Sequence, residues 1–364
     1  MKPIKLIISG GGTGGHIYPA LAIAKAIKEM NLNSSILFVG AKNKMEMEKV
    51  PNEGFSIKGL WISGFKRSLS TQNFLIPLKL FVSVIHSFLI IKKFKPNVVI
   101  GTGGFASGPI LKVAQWLGLP TLIQEQNSYP GITNRILSKN ANRICVAYDG
   151  MGNFFPKCKI SLTGNPIRAN LIDSKSYDGA KLYFDLNPKI KTLVVIGGSL
   201  GSKRINELIR SNLDFFKKLN LQVLWQCGSI YYKKYSEISS KNIFIKPFIS
   251  NMDKLYAAAD FIISRAGAGT ISELCCVGKP ILLIPSPNVT ANHQYHNAMA
   301  LVNEKAALMI EEKELEENFQ KKISLLVGNE SIQKQIKENL RRLSKPDATQ
   351  KILNEIIEIH ESRL

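Results

Sequence analysis

Short runs of apolar, mostly β-branched residues alternate with stretches of helical periodicity along the chain. In the first half these runs fall at residues 4–9, 35–39, 98–100, 121–124 and 143–147. They are largely continuous rather than alternately apolar and polar, which is typical of strands buried on both faces of a parallel sheet. A helical pattern at residues 19–30 follows the first run. The first half therefore predicts an α/β domain with helices on both faces of its sheet.

The same pattern starts again in the second half. An apolar run at 192–196 leads into a glycine-rich segment at 197–201 and a predicted helix at 203–218. Further strands are predicted at 221–226, 243–246, 261–264 and 281–284. An opening of strand, glycine loop and helix that occurs twice predicts two Rossmann-like domains.

The domain boundary is predicted next to Gly164, which gives an N-terminal domain at 1–164 and a C-terminal domain at 165–346. Residues 347–364 have an acidic start and apolar positions at helical spacing. An amphipathic helix of this kind must pack its apolar face against another element.

Lysine and arginine outnumber the acidic residues by 48 to 27, which gives a net charge of +21. Such an excess favours a polyanionic partner, such as an anionic membrane or a phosphorylated small molecule. A lysine-rich proteome would produce the same excess without a functional cause. No module that combines aromatic and basic residues for nucleic-acid recognition is visible, so nucleic-acid binding is not predicted.

The first glycine loop runs from Gly10 to Gly15 and precedes a predicted helix with Pro19 in its first turn. Glycines let a ligand approach the backbone closely, and a helix N-terminus favours anionic groups. No acid directly follows the second strand, where a dinucleotide-binding fold would hold ribose, and this counts against NAD. His16, at the edge of the loop, is a candidate general base; otherwise it only binds substrate or caps the turn.

A second glycine loop, at 101–109, also follows a strand, and so does the segment 124–127. Ligands of open α/β sheets bind at the carboxyl ends of the strands, so these loops are expected to converge on one crevice. Glu125 is the alternative general base. It is otherwise an ordinary loop carboxylate.

In the second half, the loops at 197–201 and 265–273 are expected to meet a nucleotide. The helix that begins in the second of these loops could stabilise a departing diphosphate without a metal, aided by Arg168 and Arg265. Glu273 could bind ribose hydroxyls, or it could be the acid of a capping box that begins at Thr270.

No metal site and no cofactor are predicted. The chain contains no Asp-x-Asp sequence, and its five cysteines form no Cys-x-x-Cys pair. His293 and His296 have helical spacing but lack a third ligand in the sequence nearby.

The long apolar segment at 74–91 lies between Lys66-Arg67 and Lys92-Lys93. A helix spanning a bilayer there would separate the two glycine loops of one domain, so a span is not predicted. The segment is either a buried crossover helix or a helix whose outer face enters the lipid interface.

Motifs in conserved order along nearly the whole chain resemble those of the MurG family. These are GGTGGHIYPALAIA, GTGGFASGP, QEQNSYPGITNR, GNPIR, GGSLGSKRIN, RAGAGTISEL and ANHQYHNA. Members of that family transfer GlcNAc from UDP-GlcNAc to lipid I, the undecaprenyl-diphosphate-linked MurNAc-peptide, and form lipid II for peptidoglycan. The resemblance implies an α/β fold of GT-B architecture, with two Rossmann-like domains that face a central cleft, and an inverting reaction without a metal. The C-terminal helix at 347–364 would pack back on the first domain.

The resemblance also implies site residues. His16 and Glu125 would be the catalytic candidates and would contact the acceptor together with Gly103, Gly104, Phe105 and Asn134. The donor would be bound by Thr13, Gly14, Gly15, Asn127, Arg168, Ser199, Ile249, Arg265, Ala268, Gly269, Thr270, Ile271, Ser272, Glu273 and Gln294, with Glu273 on the ribose. Phe74, Leu75, Leu78, Phe81 and Trp116 would form a membrane patch. The protein would then be peripheral, on the cytoplasmic face of an anionic inner membrane, with other cell-wall synthesis proteins as further partners.

Four positions depart from the family pattern: Phe105, Gln124, Leu200 and Ala291. None removes a proposed catalytic group, but they weaken the assignment of acceptor contacts. The alternatives are another GT-B transferase with a lipid acceptor, a nucleotide-sugar-binding membrane subunit without catalysis, and an NAD-dependent Rossmann enzyme.

Overall fold

The structure, a computed structural model, describes residues 3–64, 74–168, 171 and 179–362. It divides into two compact units. The first comprises Met1–Ile167 with Asp347–Leu364, and the second comprises Arg168–Pro346. The division therefore falls between Ile167 and Arg168, a few residues beyond the boundary predicted at Gly164.

The first unit contains a seven-stranded parallel sheet of order β3-β2-β1-β4-β5-β6-β7. Its strands are β1 (Lys5–Gly10), β2 (Ser35–Ala41), β3 (Ser56–Leu60), β4 (Val98–Gly103), β5 (Thr121–Glu125), β6 (Arg143–Val146) and β7 (Ile160–Leu162). Its helices up to residue 167 are α1 (Gly14–Met30), α2 (Glu46–Asn52), α3 (Ile76–Phe94), α4 (Ser107–Trp116) and α5 (Ile132–Ser138).

The continuous apolar runs form the central strands, and both faces of those strands are covered. In β1, Leu6 and Ile8 belong to the core on one face of the sheet and Ile7 to the core on the other. All three side chains are fully buried. This two-sided burial explains why the run is not alternately polar.

The second unit contains a six-stranded parallel sheet of order β10-β9-β8-β11-β12-β13. Its strands are β8 (Lys191–Ile196), β9 (Leu221–Gln226), β10 (Ile243–Lys246), β11 (Phe261–Ser264), β12 (Ile281–Leu283) and β13 (Leu308–Met309). Its helices are α6 (Ala180–Tyr183), α7 (Lys203–Ser211), α8 (Leu213–Lys218), α9 (Ser229–Tyr235), α10 (Met252–Ala258), α11 (Ala268–Val277), α12 (His293–Asn303), α13 (Leu315–Gly328) and α14 (Glu330–Leu343).

The final helix, α15 (Ala348–Glu361), packs in the first unit against α1. Its apolar side chains Ile352, Leu353, Ile356 and Ile359 join the core on one face of the first sheet. Arg143 at the start of β6 forms ion pairs with Glu355 (2.9 Å) and Glu358 (2.5 Å) of the helix. Apolar burial is the larger contribution here, because these ion pairs are partly exposed to solvent.

Two details of the predicted helices were wrong. Helix α1 begins at Gly14, so that Pro19 lies inside it rather than in its first turn. Thr13 is extended and its carbonyl oxygen accepts bonds from the amides of His16 and Ile17, which starts the helix within the glycine loop. The single helix predicted at 203–218 is two helices, because the helix is interrupted at Asn212. The buried side-chain amide of Asn212 donates to the carbonyl oxygen of Leu208 (2.8 Å).

Both sheets reverse their strand order next to the first strand of the unit. In the first sheet the reversal lies between β1 and β4, and in the second between β8 and β11. Loops that leave such neighbouring strands diverge to opposite faces and open a crevice at their carboxyl ends. Each unit therefore carries one topologically determined place for a ligand.

Candidate active site

The loop after β1 presents His16 in the first turn of α1. Its Nδ1 atom lies 3.0 Å from the carbonyl oxygen of Gly11 and 3.3 Å from Oγ1 of Thr13. A carbonyl oxygen can only accept, so this contact requires a proton on Nδ1 and selects the Nδ1–H tautomer of the neutral imidazole. Nε2 then carries the lone pair, which is the arrangement that a general base requires.

The loop after β4 packs directly against the imidazole. A Cβ atom on Gly103 would lie 2.9 Å from Cδ2 of His16, and one on Gly104 would lie 2.4 Å from the carbonyl oxygen of Gly11. Gly104 also has a φ of +80°. Only glycine combines this close approach with a positive φ at position 104, so glycine here allows the two loops to lie in direct contact.

The remaining predicted acceptor residues lie at the same edge of the first unit. The ring of Phe105 covers Gly12, whose Cβ position would be 3.1 Å from Cε1 of the ring. Asn134, at the start of α5, is buried, and its Oδ1 atom has no hydrogen-bond partner among the described residues. Gln124 is buried in β5 and bonds to Asn165 and Gln126, so this departure from the family pattern belongs to an internal network.

Glu125 is buried at the end of β5, and its carboxylate accepts four hydrogen bonds. Oε1 accepts from the backbone amide (3.0 Å) and the side-chain amide (3.1 Å) of Asn127. Oε2 accepts from the backbone amide of Gly131 (3.1 Å) and from Nδ2 of Asn134 (2.9 Å). A carboxylate with this many donors holds its loop in place.

Glu46 at the start of α2 has a similar function and was missed in the sequence. Its fully buried carboxylate accepts from the amides of Gly12 (3.1 Å) and Ala41 (3.0 Å). The positions directly after β2, where a dinucleotide-binding fold would hold ribose, contain no acid. Glu46 lies a few residues later and binds backbone amides of this protein instead. Its signal in the sequence is an acidic residue in the first turn of the helix that follows β2.

In the second unit, one buried side chain joins two loops predicted to bind the donor. Gln226 ends β9; its Nε2 atom donates to the carbonyl oxygen of Gly198 (3.1 Å), and its Oε1 atom accepts from the amide of Ile249 (2.8 Å). Ser199 lies in the first of these loops. Nothing in the sequence marked Gln226, because its partners come from other strands of the sheet.

Arg265 follows β11, and its guanidinium bonds to groups of the protein. It forms an ion pair with Glu312 (2.5 Å) and donates to Oγ of Ser202 (2.6 Å) and to the carbonyl oxygen of Ile284 (3.1 Å). Burial lowers the pKa of Arg265, and Glu312 raises it. These bonds join the loop after β11 to the N-terminus of α7.

Helix α11 begins at Ala268, with Gly267 as its N-cap and without a side-chain capping bond. The interpretation of Thr270 and Glu273 as a capping box is wrong, since Thr270 lies within the helix and Glu273 bonds elsewhere. The first turn contains no acidic residue, and a Cβ atom on Gly269 would meet nothing within 4 Å. The amides of this turn form the kind of N-terminus that binds anions.

Glu273 is held by two residues of its own unit. Tyr256 of α10 donates its hydroxyl hydrogen to Oε2 (3.1 Å), and Nε of Arg168 lies 3.6 Å from Oε1. Burial raises the pKa of Glu273, whereas Arg168 and the phenol lower it.

The other predicted donor residues divide between the two units. Thr13, Gly14, Gly15 and Asn127 belong to the first, while Gln294 belongs to the second and accepts from the amide of Ser286 (2.9 Å). Ile271 and Ala268 of α11 are buried, and Ser272 donates to the carbonyl oxygen of Ala268 (3.1 Å). Among the described residues, no group of three or more histidine, cysteine and acidic side chains could hold a metal ion.

Helix α3 buries two serines together with Ile90 and Ile91, and it exposes most of its other apolar side chains. Ser83 and Ser87 are fully buried, while Phe81 is 64% exposed. Leu78, Leu80, Val82, Ile85, Phe88 and Leu89 of this helix are exposed as well, as are Phe74 and Leu75 before it. We call these residues together with Trp116 of α4, which is 63% exposed, the apolar face. Burial within the core therefore does not explain the apolar segment.

Basic side chains border the apolar face. Lys92 lies over the ring of Phe88 and Lys112 over that of Trp116, each at 5.5 Å. The predicted basic residues Lys66 and Arg67 lie outside the described residues. Between α3 and α4 is an apolar groove of about 330 Å³, lined by Val84, Ile85, Phe88, Val113, Trp116 and Leu117. Across the described ranges, no helix is long and apolar enough to cross a membrane.

Family models for two successive domains match this chain. The glycosyltransferase family 28 N-terminal domain matches residues 6–146, and the family 28 C-terminal domain matches residues 192–352. Two relatives carry the name UDP-N-acetylglucosamine–N-acetylmuramyl-(pentapeptide) pyrophosphoryl-undecaprenol N-acetylglucosamine transferase. The one from Flavobacterium psychrophilum is 51% identical over 100% of both chains. The one from Christiangramia forsetii is 54% identical over 97% of each.

The chain belongs to the MurG family. The crystal structure of MurG from Acinetobacter baumannii has a TM-score of 0.79 and 26% sequence identity, and the match covers 98% of this chain and 100% of that one. The predicted fold class and enzyme class are thereby confirmed: this is a hexosyltransferase of the MurG family with two Rossmann-like units. The NAD-dependent alternative is set aside, because both family 28 domains are present.

The close packing of the first glycine loop on Glu46 gives a test of the site. A Cβ atom on Gly11 would lie 2.1 Å from Oε1 of Glu46, whereas one on Gly15 would have Oγ1 of Thr13 as its nearest atom, at 3.7 Å. We expect Gly11→Ala to displace the buried carboxylate from its amides and to cost about 1–3 kcal/mol of unfolding free energy. Gly15→Ala, which lies in α1, is the matched control and should be neutral or stabilising. Equal unfolding free energies of the two variants in urea denaturation would contradict this account of the loop.

Proposed function

We propose that this protein transfers GlcNAc from UDP-GlcNAc to the C4 hydroxyl of MurNAc in lipid I and so forms lipid II. The observation that carries the mechanism is the hydrogen bond from Nδ1 of His16 to the carbonyl oxygen of Gly11, which leaves Nε2 as the basic atom. The names of the full-length relatives support the donor and the acceptor.

His16 acts as the general base in this proposal. The acceptor hydroxyl gives its proton to Nε2 as its oxygen attacks C1 of GlcNAc. The bond between C1 and the diphosphate oxygen breaks, and its electrons leave with UDP. Attack on the face opposite the leaving group inverts C1 and gives a β-1,4 linkage. A correctly placed base contributes about 10²–10⁴-fold to a rate of this kind.

Glu125 positions the acceptor loop rather than taking the proton. Its four hydrogen bonds hold Asn127, Gly131 and Asn134, and losing the negative charge would weaken all of them. The four donors that already face the Glu125 carboxylate support this assignment.

The charge that develops on the departing diphosphate is met by protein dipoles and a cation. The first-turn amides of α11, at Ala268, Gly269 and Thr270, lie at the positive end of the helix dipole. The half-exposed Arg168 supplies a mobile positive charge. Arg265, whose guanidinium is already bonded to Glu312 and Ser202, positions the loop that leads into the helix.

In this proposal the apolar face binds the enzyme to the membrane that contains its lipid acceptor. Exposed apolar side chains gain free energy when they leave water for the acyl-chain boundary, at about 25 cal/mol per Å². Lys79, Lys92, Lys93 and Lys112, on the two helices that carry most of this face, would meet anionic headgroups. The protein is then peripheral on the leaflet where lipid I presents its sugar.

Transfer of labelled GlcNAc from UDP-GlcNAc to a lipid I analogue, with EDTA present, tests the reaction. We expect labelled lipid II and UDP in equal amounts, because helix α11 and Arg168 replace a metal. If UDP-GlcNAc binds but no product forms, the acceptor is another lipid or the chain is a binding subunit. Product that appears only when a divalent cation is restored would contradict the assignment of leaving-group stabilisation.

His16→Ala separates binding from chemistry. We expect kcat to fall by about 10²–10⁴-fold, while the Kd for UDP-GlcNAc changes by less than about threefold. His360→Ala, a histidine of α15 remote from the glycine loops in sequence, is the control and should keep wild-type kcat. A near-normal kcat in His16→Ala would rule the base out. In that event Glu125 becomes the candidate base, and Glu125→Gln should lower kcat by about 10²–10⁴-fold instead.

Phe81→Asp tests the membrane contact. It replaces an exposed ring of the apolar face with a negative charge, and we expect binding to vesicles that contain anionic phospholipid to weaken by about tenfold or more. Leu325→Asp introduces the same charge at an exposed leucine of α13 in the second unit and should bind as wild type does. Co-sedimentation with vesicles measures both, and equal losses would show that charge alone, not the apolar face, decides binding.

A further inference from the structure

Tyr256 is a buried phenol that the mechanism above does not use. It lies on α10, its side chain is 1% exposed, and its hydroxyl donates to Oε2 of Glu273 at 3.1 Å. Burial and the Glu273 carboxylate raise the pKa of Tyr256 well above its usual value. The phenol therefore keeps its proton and remains a donor throughout the physiological pH range.

The position of the Glu273 carboxylate depends on this bond. The second contact, from Nε of Arg168 to Oε1, is 3.6 Å long, and the Arg168 side chain is 48% exposed. An ion pair of that length on a half-exposed side chain fixes orientation poorly. Of the two partners of Glu273, the Tyr256 phenol is the rigid one, because its ring is buried in the core.

The same bond favours the ionised form of the carboxylate, although burial is the larger effect and raises the pKa of Glu273 overall. The arginine and the phenol oppose that effect. An ionised carboxylate can accept from two hydroxyls at once, whereas a protonated one loses part of that capacity.

We propose that Tyr256 is a positioning residue that aims the Glu273 carboxylate at the ribose hydroxyls of the uridine nucleotide. This rests on the donor site of the proposed function, in which Glu273 binds the ribose. Tyr256 touches neither the sugar nor the phosphates; it acts on the nucleotide through the carboxylate. It thereby sets the preference for a ribonucleotide over a deoxyribonucleotide.

A site built to bond a hydroxyl rejects the analogue that lacks it, because the buried polar group is then left unpaired. Hydrogen bonds to a charged group are strong enough to give wild-type protein a preference of about 10- to 100-fold for UDP over 2′-deoxy-UDP or 3′-deoxy-UDP. Tyr256→Phe removes one oxygen and keeps the ring in the core. We expect this variant to bind UDP about tenfold more weakly and its preference for UDP to fall to about threefold or less.

The chain contains a matched control. Tyr235 is also a fully buried tyrosine of the second unit, and its hydroxyl has no hydrogen-bond partner among the described residues. Tyr235→Phe removes the same atom without touching Glu273, so both the affinity for UDP and the preference should stay at wild-type values. Glu273→Gln is the reference for complete loss of the ribose contact.

Calorimetric titration of the full-length variants with the three nucleotides decides the question. Because the preference is a ratio measured on one preparation, a partly unfolded sample does not alter it. If Glu273→Gln loses the preference and Tyr256→Phe keeps it at the wild-type value, the positioning role is overturned and the donor site stands. If Glu273→Gln also keeps the wild-type preference, the ribose contact of the proposed function fails, and the role of Tyr256 fails with it.

Discussion

Backbone amides in the loops at the carboxyl edges of the two sheets must find acceptors, and buried side chains supply many of them. Glu46 holds the first glycine loop, Glu125 holds the loop after β5, and Gln226 joins the loops after β8 and β10. A glycine-rich loop loses more conformational entropy on ordering than any other loop. These buried acceptors offset that cost, and the placement of His16 and of the donor loops depends on them.

The two units contribute different chemistry to the proposed reaction. The first supplies an imidazole whose Nδ1 bonds to a carbonyl oxygen, as well as an exposed apolar surface. The second supplies a helix N-terminus and a carboxylate anchored by a phenol. The acidic side chains Glu46, Glu125 and Glu273 all bond to protein donors, which suits a mechanism that relies on dipoles and positioned hydrogen bonds rather than on coordination.

Helix α3 exposes most of its apolar side chains, although Ile90 and Ile91 near its C-terminus are buried. It buries Ser83 and Ser87, and Ser83 bonds to the carbonyl oxygen of Trp61 (3.1 Å), while its leucine and phenylalanine side chains face outward. A contiguous exposed apolar patch of this kind is uncommon on a monomer and marks an interaction surface. The lysines that lie over its aromatic rings keep their charges available to an anionic surface.

Much of the fold follows from local pattern. The apolar runs are long enough and continuous enough to be recognised as buried parallel strands, and the repeated strand, glycine loop and helix indicate two Rossmann-like units. The order of the motifs was sufficient to indicate the family, because a single glycine loop is common but this series is not. The candidate base was visible as well, since a histidine beside such a loop has few neighbours to compete with it. These features depend on residues close together in the chain.

The tertiary structure decided what the local pattern left open. Whether α3 is a core helix or an interfacial one depends on which of its faces meets α4, and periodicity alone does not reveal this. The proposal that His16 rather than Glu125 is the base rests on hydrogen-bond donors that Gly131 and Asn134 bring to the Glu125 carboxylate. Gln226 and Tyr256 carried no signal in the sequence, because their partners lie on other strands and helices. Contacts between residues distant in sequence exist only once the sheets have formed, and it is these contacts that convert a family fold into a particular site.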